Sequence, residues 1–259
     1  MTTRNIVIAL TLSLCCVALY GAETKNVDKT LPLRANGAVK LDSHNGSVSV
    51  HTWDRAEIEI HARIEAGGTS AEDHRRFTEI TVEIEGSSDL VSIKSKTPDY
   101  NNGWSLFSWG NWGNSPEIHY TINAPRTARW TMRDHNSKIE IHDLSAALDL
   151  ETHNGTVRVE NLGGPLELSM HNGDARIDFA SFTHDSRIET HNGTVELTLL
   201  KSSKFELHSD GHNMSVDSDF PGMVRSSGHR GDSFNGPVNG GGPALRITSH
   251  NGRFRVRSK

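Results

Sequence analysis

Cysteine is almost missing from this chain of 259 residues. Its two copies, Cys15 and Cys16, both fall within the first 22 residues. Disulfides, thiolate catalysis and cysteine metal sites are therefore excluded from everything downstream. Aromatic residues amount to 6% and hydrophobic residues to 34%. That is little for a thick globular core but enough for a thin, elongated one. An excess of one charge is lacking as well. The formal net charge is −5 and the basic residues are scattered, which leaves no footprint for nucleic acid and no patch for an anionic membrane.

Long apolar runs are confined to the start. "MTTRNIVIALTLSLCCVALYGA" holds Arg4, an apolar stretch from Ile6 to Tyr20, and then Gly21 and Ala22. This pattern reads as an export signal over residues 1–22, not as a membrane span. Leu14 before Cys15, and Cys15 before Cys16, do not supply the small residue a lipoprotein anchor needs. No later segment approaches the roughly 20 apolar residues of a transmembrane helix. The expectation is an exported protein of the periplasm, cell envelope or medium, not an integral membrane protein.

One turn is abundant instead. His-Asn-Gly occurs five times, at His44, His153, His171, His191 and His250, with near copies at His135 and His212. From His135 the spacings run 18, 18, 20 and 21 residues, then 38, which reads as two further periods. Periods near 20 residues mark solenoids. Each period holds two alternating runs, such as "TVRVEN" and "PLELSM", and alternation makes half-buried strands. Val157, Val159, Leu166, Leu168, Ile177, Phe179, Val195, Leu197, Phe205 and Leu207 are expected to face one interior. Arg158, Glu167, Arg176, Asp178, Glu196 and Glu206 are expected to face water.

Two topologies fit, antiparallel hairpins or a coil stacking each run on its equivalent. Asn-Gly by itself favours a hairpin. The regular period favours the coil, because identical corners then repeat every ~4.8 Å. In the coil, glycine supplies a backbone conformation closed to side chains, and asparagine tolerates the left-handed region. Stacked asparagines can also bond along the axis as amide ladders do. The expected turn ladder comprises Asn45, Gly46, Asn136, Asn154, Gly155, Asn172, Gly173, Asn192, Gly193, Asn251 and Gly252.

The histidine is left over. Along "LDLETHNG", Leu148, Leu150 and Thr152 share a face, so His153 points outward. Outward imidazoles on adjacent rungs could share a transition metal or repel one another on protonation. They could equally be incidental copies of a duplicated corner. No acid recurs directly beside them to complete a ligand set, so no metal and no cofactor is assigned.

"VKLDSHNGSVSVHTWD" (Val39 to Asp54), "IHYTINAPRTARWTM" (Ile118 to Met132) and "NGPVNGGGPALRITSHNGRFRV" (Asn235 to Val256) together resemble the bacterial putative-adhesin family with β-strand repeats. They match its opening coil, its proline-ended strand and its closing segment. The resemblance implies an all-β, right-handed β-solenoid that is exported or envelope-associated, and it brings no catalytic residues. This chain departs from the pattern in its recurrent histidine and in an aromatic insertion.

That insertion, "TPDYNNGWSLFSWGNWGNSP" over residues 97–116, is bounded by proline and filled with Asn and Gly, so it reads as a loop. Tyr100, Trp104, Phe107, Trp109 and Trp112 make it either a contact surface for a glycan or an envelope protein, or a lid over the solenoid. Before it, "SAEDHRRFTEI" (Ser70 to Ile80) has the N-cap and early acids of a short helix. Arg-Gly-Asp at 230–232 fits a glycine-rich turn. His142-Asp143, His184-Asp185 and Asp217 with Asp219 are partial catalytic pieces at unrelated positions in the repeat.

The expected organisation is a signal at 1–22, an N-terminal β part over 31–130 with the helix and aromatic loop, and solenoid repeats of about 18–21 residues over 131–259. The expected function is non-catalytic adhesion or partner interaction. The alternatives are a polysaccharide-active β-helix enzyme and a metal-binding histidine column.

Overall fold

A computed structural model describes residues 23–96, 115–221, 224–228 and 231–259. Residues 1–22, where an export signal is expected, all five loop aromatics (Tyr100, Trp104, Phe107, Trp109 and Trp112) and Arg230 lie outside these residues.

In the middle of the chain, three long strands, β10 (Leu148–Leu162), β11 (Leu166–Phe179) and β12 (Ser186–Leu199), each run straight through a His-Asn-Gly triplet. β10 pairs with β11 and β11 with β12, in parallel and in register, so that Asn154 faces Asn172 and Asn172 faces Asn192. The alternation explains the packing. Leu150, Leu168 and Ile188 form one buried column, and Val157, Ala175 and Val195 form another on the far side of the triplet. Burial of each such side chain contributes about 1.5–3 kcal/mol. The parallel coil therefore holds, and the hairpin alternative does not apply to these repeats.

Upstream, the same rung is made from strand pairs. β2 (Ala38–Asp42) with β3 (Asn45–Trp53) lies parallel to β8 (Arg129–Asp134) with β9 (Asn136–His142), which in turn carry β10. On the other side of β2 and β3 lie β6 (Leu90–Lys96) and β7 (Glu117–Pro125), again parallel. The segment that resembles an opening coil is thus the second rung in space.

The distal end also departs from chain order. β17 (Ala244–Ser258) pairs in parallel with β12 along its whole length, while β13 (Phe205–Gly211) and β14 (Ser215–Ser218) pair with the opposite edge of β17. His250 therefore lies between His191 and His212, not two periods beyond His212. A physical reason is visible. β17 is unbroken and matches β12 from Leu245 to Ser258. The chain between β13 and β14 is interrupted at Asn213, which has φ 49°.

Antiparallel strands cover both ends. β4 (Glu57–Glu65) lies on β7, β1 (Thr24–Pro32) on β4, and β5 (Thr81–Gly86) on β6. At the distal end β16 (Gly231–Val238) lies on β13, and β15 (Val224–Gly228) on β16. Helix α1 (Ala71–Glu79) begins at Ser70, whose hydroxyl and Asp73 form a capping box, and it buries Phe77. From β1, Lys25 Nζ donates to the carbonyls of Phe77 (2.7 Å) and Ile80 (2.6 Å), and Lys29 Nζ to that of Ile84 (2.7 Å). Lysines of an outer strand thereby tie it to the helix and to β5, which discourages further pairing.

At the repeated corner the asparagine amides form one chain along the axis. Asn136 donates to Asn45 (3.0 Å), Asn154 to Asn136 (2.8 Å), Asn172 to Asn154 (2.9 Å) and Asn192 to Asn172 (2.8 Å). Asn251 then donates to Asn192 (3.0 Å) and Asn213 to Asn251 (3.1 Å). The left-handed tolerance expected of these asparagines is not what they supply. Positive φ falls on Gly46, Gly173 and Gly193, and of the ladder asparagines only on Asn213. A second corner uses it instead, at Asp143 (φ 59°) and Asn161 (φ 56°), where the Asn161 amide donates to Asp143 at 2.9 Å. Asn172→Ala removes one donor bond and one acceptor bond from a half-buried chain. It should lower unfolding free energy by about 1–3 kcal/mol, measured by urea denaturation.

Candidate functional site

Because the triplets stack in register, so do their histidines. His44, His135, His153, His171, His191, His250 and His212 form one row, with ring centroids 5.0, 4.9, 4.6, 4.8, 4.8 and 5.4 Å apart. The first six rings are parallel within 9°, and His212 tilts by 24°. His135 is half-buried and the others are exposed. The outward direction follows from the buried residue before each of them, such as Thr152, Met170, Thr190 and Ser249.

Beside the row runs an open groove of about 650 Å³, spanning the five rungs from His135 to His250. Its second wall is the column two residues earlier, Arg133, Glu151, Ser169, Glu189 and Thr248. This wall could have been found by counting back from each triplet, since alternate residues share a face. Its charges are paired. Arg133 holds Asp149 through two bonds of 3.0 and 3.2 Å and reaches Glu151 at 3.0 Å, while Arg187 Nε donates to Glu189 at 2.6 Å. Asp134 turns toward the corner, accepting from the Ser137 amide (2.9 Å) and the Thr152 hydroxyl (3.0 Å).

Burial and stacking together act on the proton chemistry of two of the rings. Burial, then the neighbouring His44, pushes the His135 pKa down despite Asp134. For His153 the causes are desolvation, then His135 and His171. A depressed folded value means that the unfolded chain binds the proton first. These two groups are neutral in both states above about pH 6.5, and they destabilise the fold as pH falls through that value and toward the folded one. The urea midpoint should accordingly drop between pH 7.5 and pH 5, and the double variant His135→Gln/His153→Gln should show a shallower drop. His61 acts oppositely. Its hydrogen bond to Asp28 raises its pKa, with Glu59 adding to this against desolvation, so its small contribution is present at low pH and lost as pH rises through the folded value.

Stacked rings direct their nitrogens side by side in parallel planes, not toward a common point. Among the described residues no three His, Cys, Asp or Glu side chains gather as a metal set. The other partial sites are dispersed. His142 Nδ1 sits 3.0 Å from Glu160. Asp185 accepts from the Ala244 amide at 2.8 Å. Asp217 and Asp219 both hold Arg257, at 2.7 and 3.0 Å.

The repeating rungs that carry this row fall largely within residues 120–256, and those residues match the family model described as Toastrack DUF4097. The match spans more than half of the chain. The chain belongs to the Toastrack DUF4097 family. Its fold is shared with a putative cell adhesion protein from Clostridium sporogenes, at 13% identity and a TM-score of 0.50, over 91% of this chain and 100% of that one. A putative adhesin from Bacteroides fragilis is similar at 12% identity and a TM-score of 0.41, over 91% and 97% of the two chains. No curated protein matches the chain. Among the described residues of this Toastrack protein, no helix is long and apolar enough to cross a membrane.

Proposed function

We propose that the protein is an exported, non-catalytic, right-handed β-solenoid of the bacterial envelope, which binds a surface partner along the face bearing the histidine row. The observation that carries this reading is the unbroken row of seven imidazoles beside a long groove. A surface copied rung after rung suits an extended partner better than a compact substrate. The Clostridium protein that shares this fold is described as a putative cell adhesion protein, which is in line with a role in surface contact. A glycan-cleaving reading would need a free carboxyl acid and a second free carboxylate. The groove carboxylates Glu151 and Glu189 are each held by an arginine.

The test is retention of the purified chain on bacterial envelope fractions. His153→Ala/His171→Ala/His191→Ala should reduce retention at least about tenfold, a loss of about 1.4 kcal/mol, with little change in Tm. Unchanged retention of a folded triple variant would refute a role for this face. A chain lacking residues 101–114 separates the histidines' share from any share of the aromatic insertion: reduced retention at unchanged Tm makes the insertion a contact surface, and a lowered Tm makes it a lid.

A further inference from the structure

The histidine groove has a chemistry more specific than surface contact, and assigning its ligand rests on the partner-binding role proposed for this face. Its period is the first constraint. Rings repeat at 4.6–4.9 Å over the five rungs of the groove. An extended polypeptide repeats its same-side groups at about 6.7 Å, and one strand of duplex DNA advances about 3.4 Å per phosphate. Neither keeps step with the rungs. Counted per monomer, a chain of β-1,4-linked hexoses advances by close to one rung, and because successive sugars are turned over, the same sugar edge meets the histidine wall at every second rung.

Charge is the second constraint. Arg133 is shared between Asp149 and Glu151, and Glu189 is held by Arg187, so this wall offers a polyanion no free cation, and two arginines against three carboxylates leave a polycation a single excess negative charge over the whole groove. The third constraint is the hydrogen-bonding inventory. A neutral imidazole carries one donor and one acceptor, and Ser169 and Thr248 add hydroxyls that do both. Carboxylates already held by arginine still have lone pairs to accept from hydroxyls. Desolvation, and then the neighbouring rings of the stack, lower the pKa of His135 and His153 and so favour their neutral form. A volume of about 650 Å³ is within the ~300–1,000 Å³ range of small-molecule clefts, and here it is drawn out along a line.

We infer that this groove takes a single extended chain of an uncharged, hydroxyl-rich glycan, lying along the solenoid axis with about one sugar per rung. The imidazole edges form one wall and Arg133, Glu151, Ser169, Glu189 and Thr248 the other. The site ends where the row tilts at His212.

Titration calorimetry with cello- and chito-oligosaccharides, from disaccharide to hexasaccharide, tests this on the full chain at pH 7.5. Affinity should rise with each sugar up to the pentasaccharide and then level off, because the groove spans five rungs. His153→Ala/His191→Ala should weaken pentasaccharide binding about tenfold or more. His153→Gln/His191→Gln, which keeps a donor and an acceptor at each position, should retain most of it. Thr198→Ala, on another face, should change nothing.

Several results would overturn the inference. One is binding of dextran sulfate alone, strengthened below pH 6, with loss in the glutamine variant. Another is affinity for extended peptides and not for oligosaccharides. A third is no length dependence, or no binding to any uncharged glycan. If glycans fail while envelope retention still depends on His153, His171 and His191, this inference falls and the broader reading stands. If retention is indifferent to those histidines as well, both fall.

Discussion

Gly173→Ala should cost about 3 kcal/mol or more of folding free energy, although it adds a single methyl group. Gly173 has φ +134°, and a Cβ placed there would lie 1.9 Å from the carbonyl oxygen of Gly155 on the rung below. The obstacle is backbone of an adjacent strand, and that strand is held in register on both sides of the corner. Relief would require separating two rungs, with loss of the Asn172–Asn154 amide bond. Gly193→Ala should behave alike, since its φ is +143° and its Cβ would lie 1.8 Å from the Gly173 oxygen. Gly163→Ala is the control. Its nearest neighbour would be 3.5 Å away, and its effect should stay within about 1 kcal/mol. Urea denaturation of the three variants measures this. Equal, small effects at all three positions would show that the rungs are not packed backbone to backbone at this corner.

Removal of residues 244–259 should be more severe and should abolish a cooperative unfolding transition. β17 is last in the chain but interior in the stack, with β12 on one edge and β13 and β14 on the other. Leu245, Ile247, Phe254 and Val256 are all fully or almost fully buried. Without them, β12 loses its partner from Ser186 to Leu199 and the distal cap loses its platform. Were the repeats wound in chain order, the same deletion would only trim an end. Phe254→Ala is the milder form and should cost about 3–5 kcal/mol. A truncated chain that still unfolds cooperatively near the original Tm would place β17 at the periphery.

The local rules of this fold are legible in the sequence because each is a short-range matter. Alternation in "TVRVEN" and "PLELSM" exposes Arg158 and Glu167 and buries Val157, Val159, Leu166 and Leu168, since strand geometry allows little else. The outward face of His153 is fixed by Leu148, Leu150 and Thr152, and Ser70 with Asp73 announces α1. Spatial order is another matter. Nothing within "LRITSHNGRFRV" distinguishes a rung that follows His212 from one that inserts before it, because both bury the same residues. The decision lies in non-local pairing, in which unbroken β17 completes the hydrogen bonds of β12 better than interrupted β13 and β14 could. The second corner, at Asp143 and Asn161, is equally hard to read, since its residues are not identical from rung to rung. The groove lies between these extremes. Its histidine wall is visible as a repeat, whereas its opposite wall becomes coherent only through the ion pairs from Arg133 and Arg187, which join residues 16 or 18 apart in one case and 2 apart in the other.

Spin labels at positions 191, 250 and 212 test the stacking order most directly, on a background in which Cys15 and Cys16 are replaced by serine. The pair His191→Cys/His250→Cys should show strong spin–spin broadening, because these residues occupy adjacent rungs with ring centroids 4.8 Å apart. The pair His191→Cys/His212→Cys should be clearly weaker, since the rung of His250 lies between them. Stronger coupling in the second pair than in the first would mean that the chain winds in sequence order, contrary to the arrangement on which the histidine groove depends.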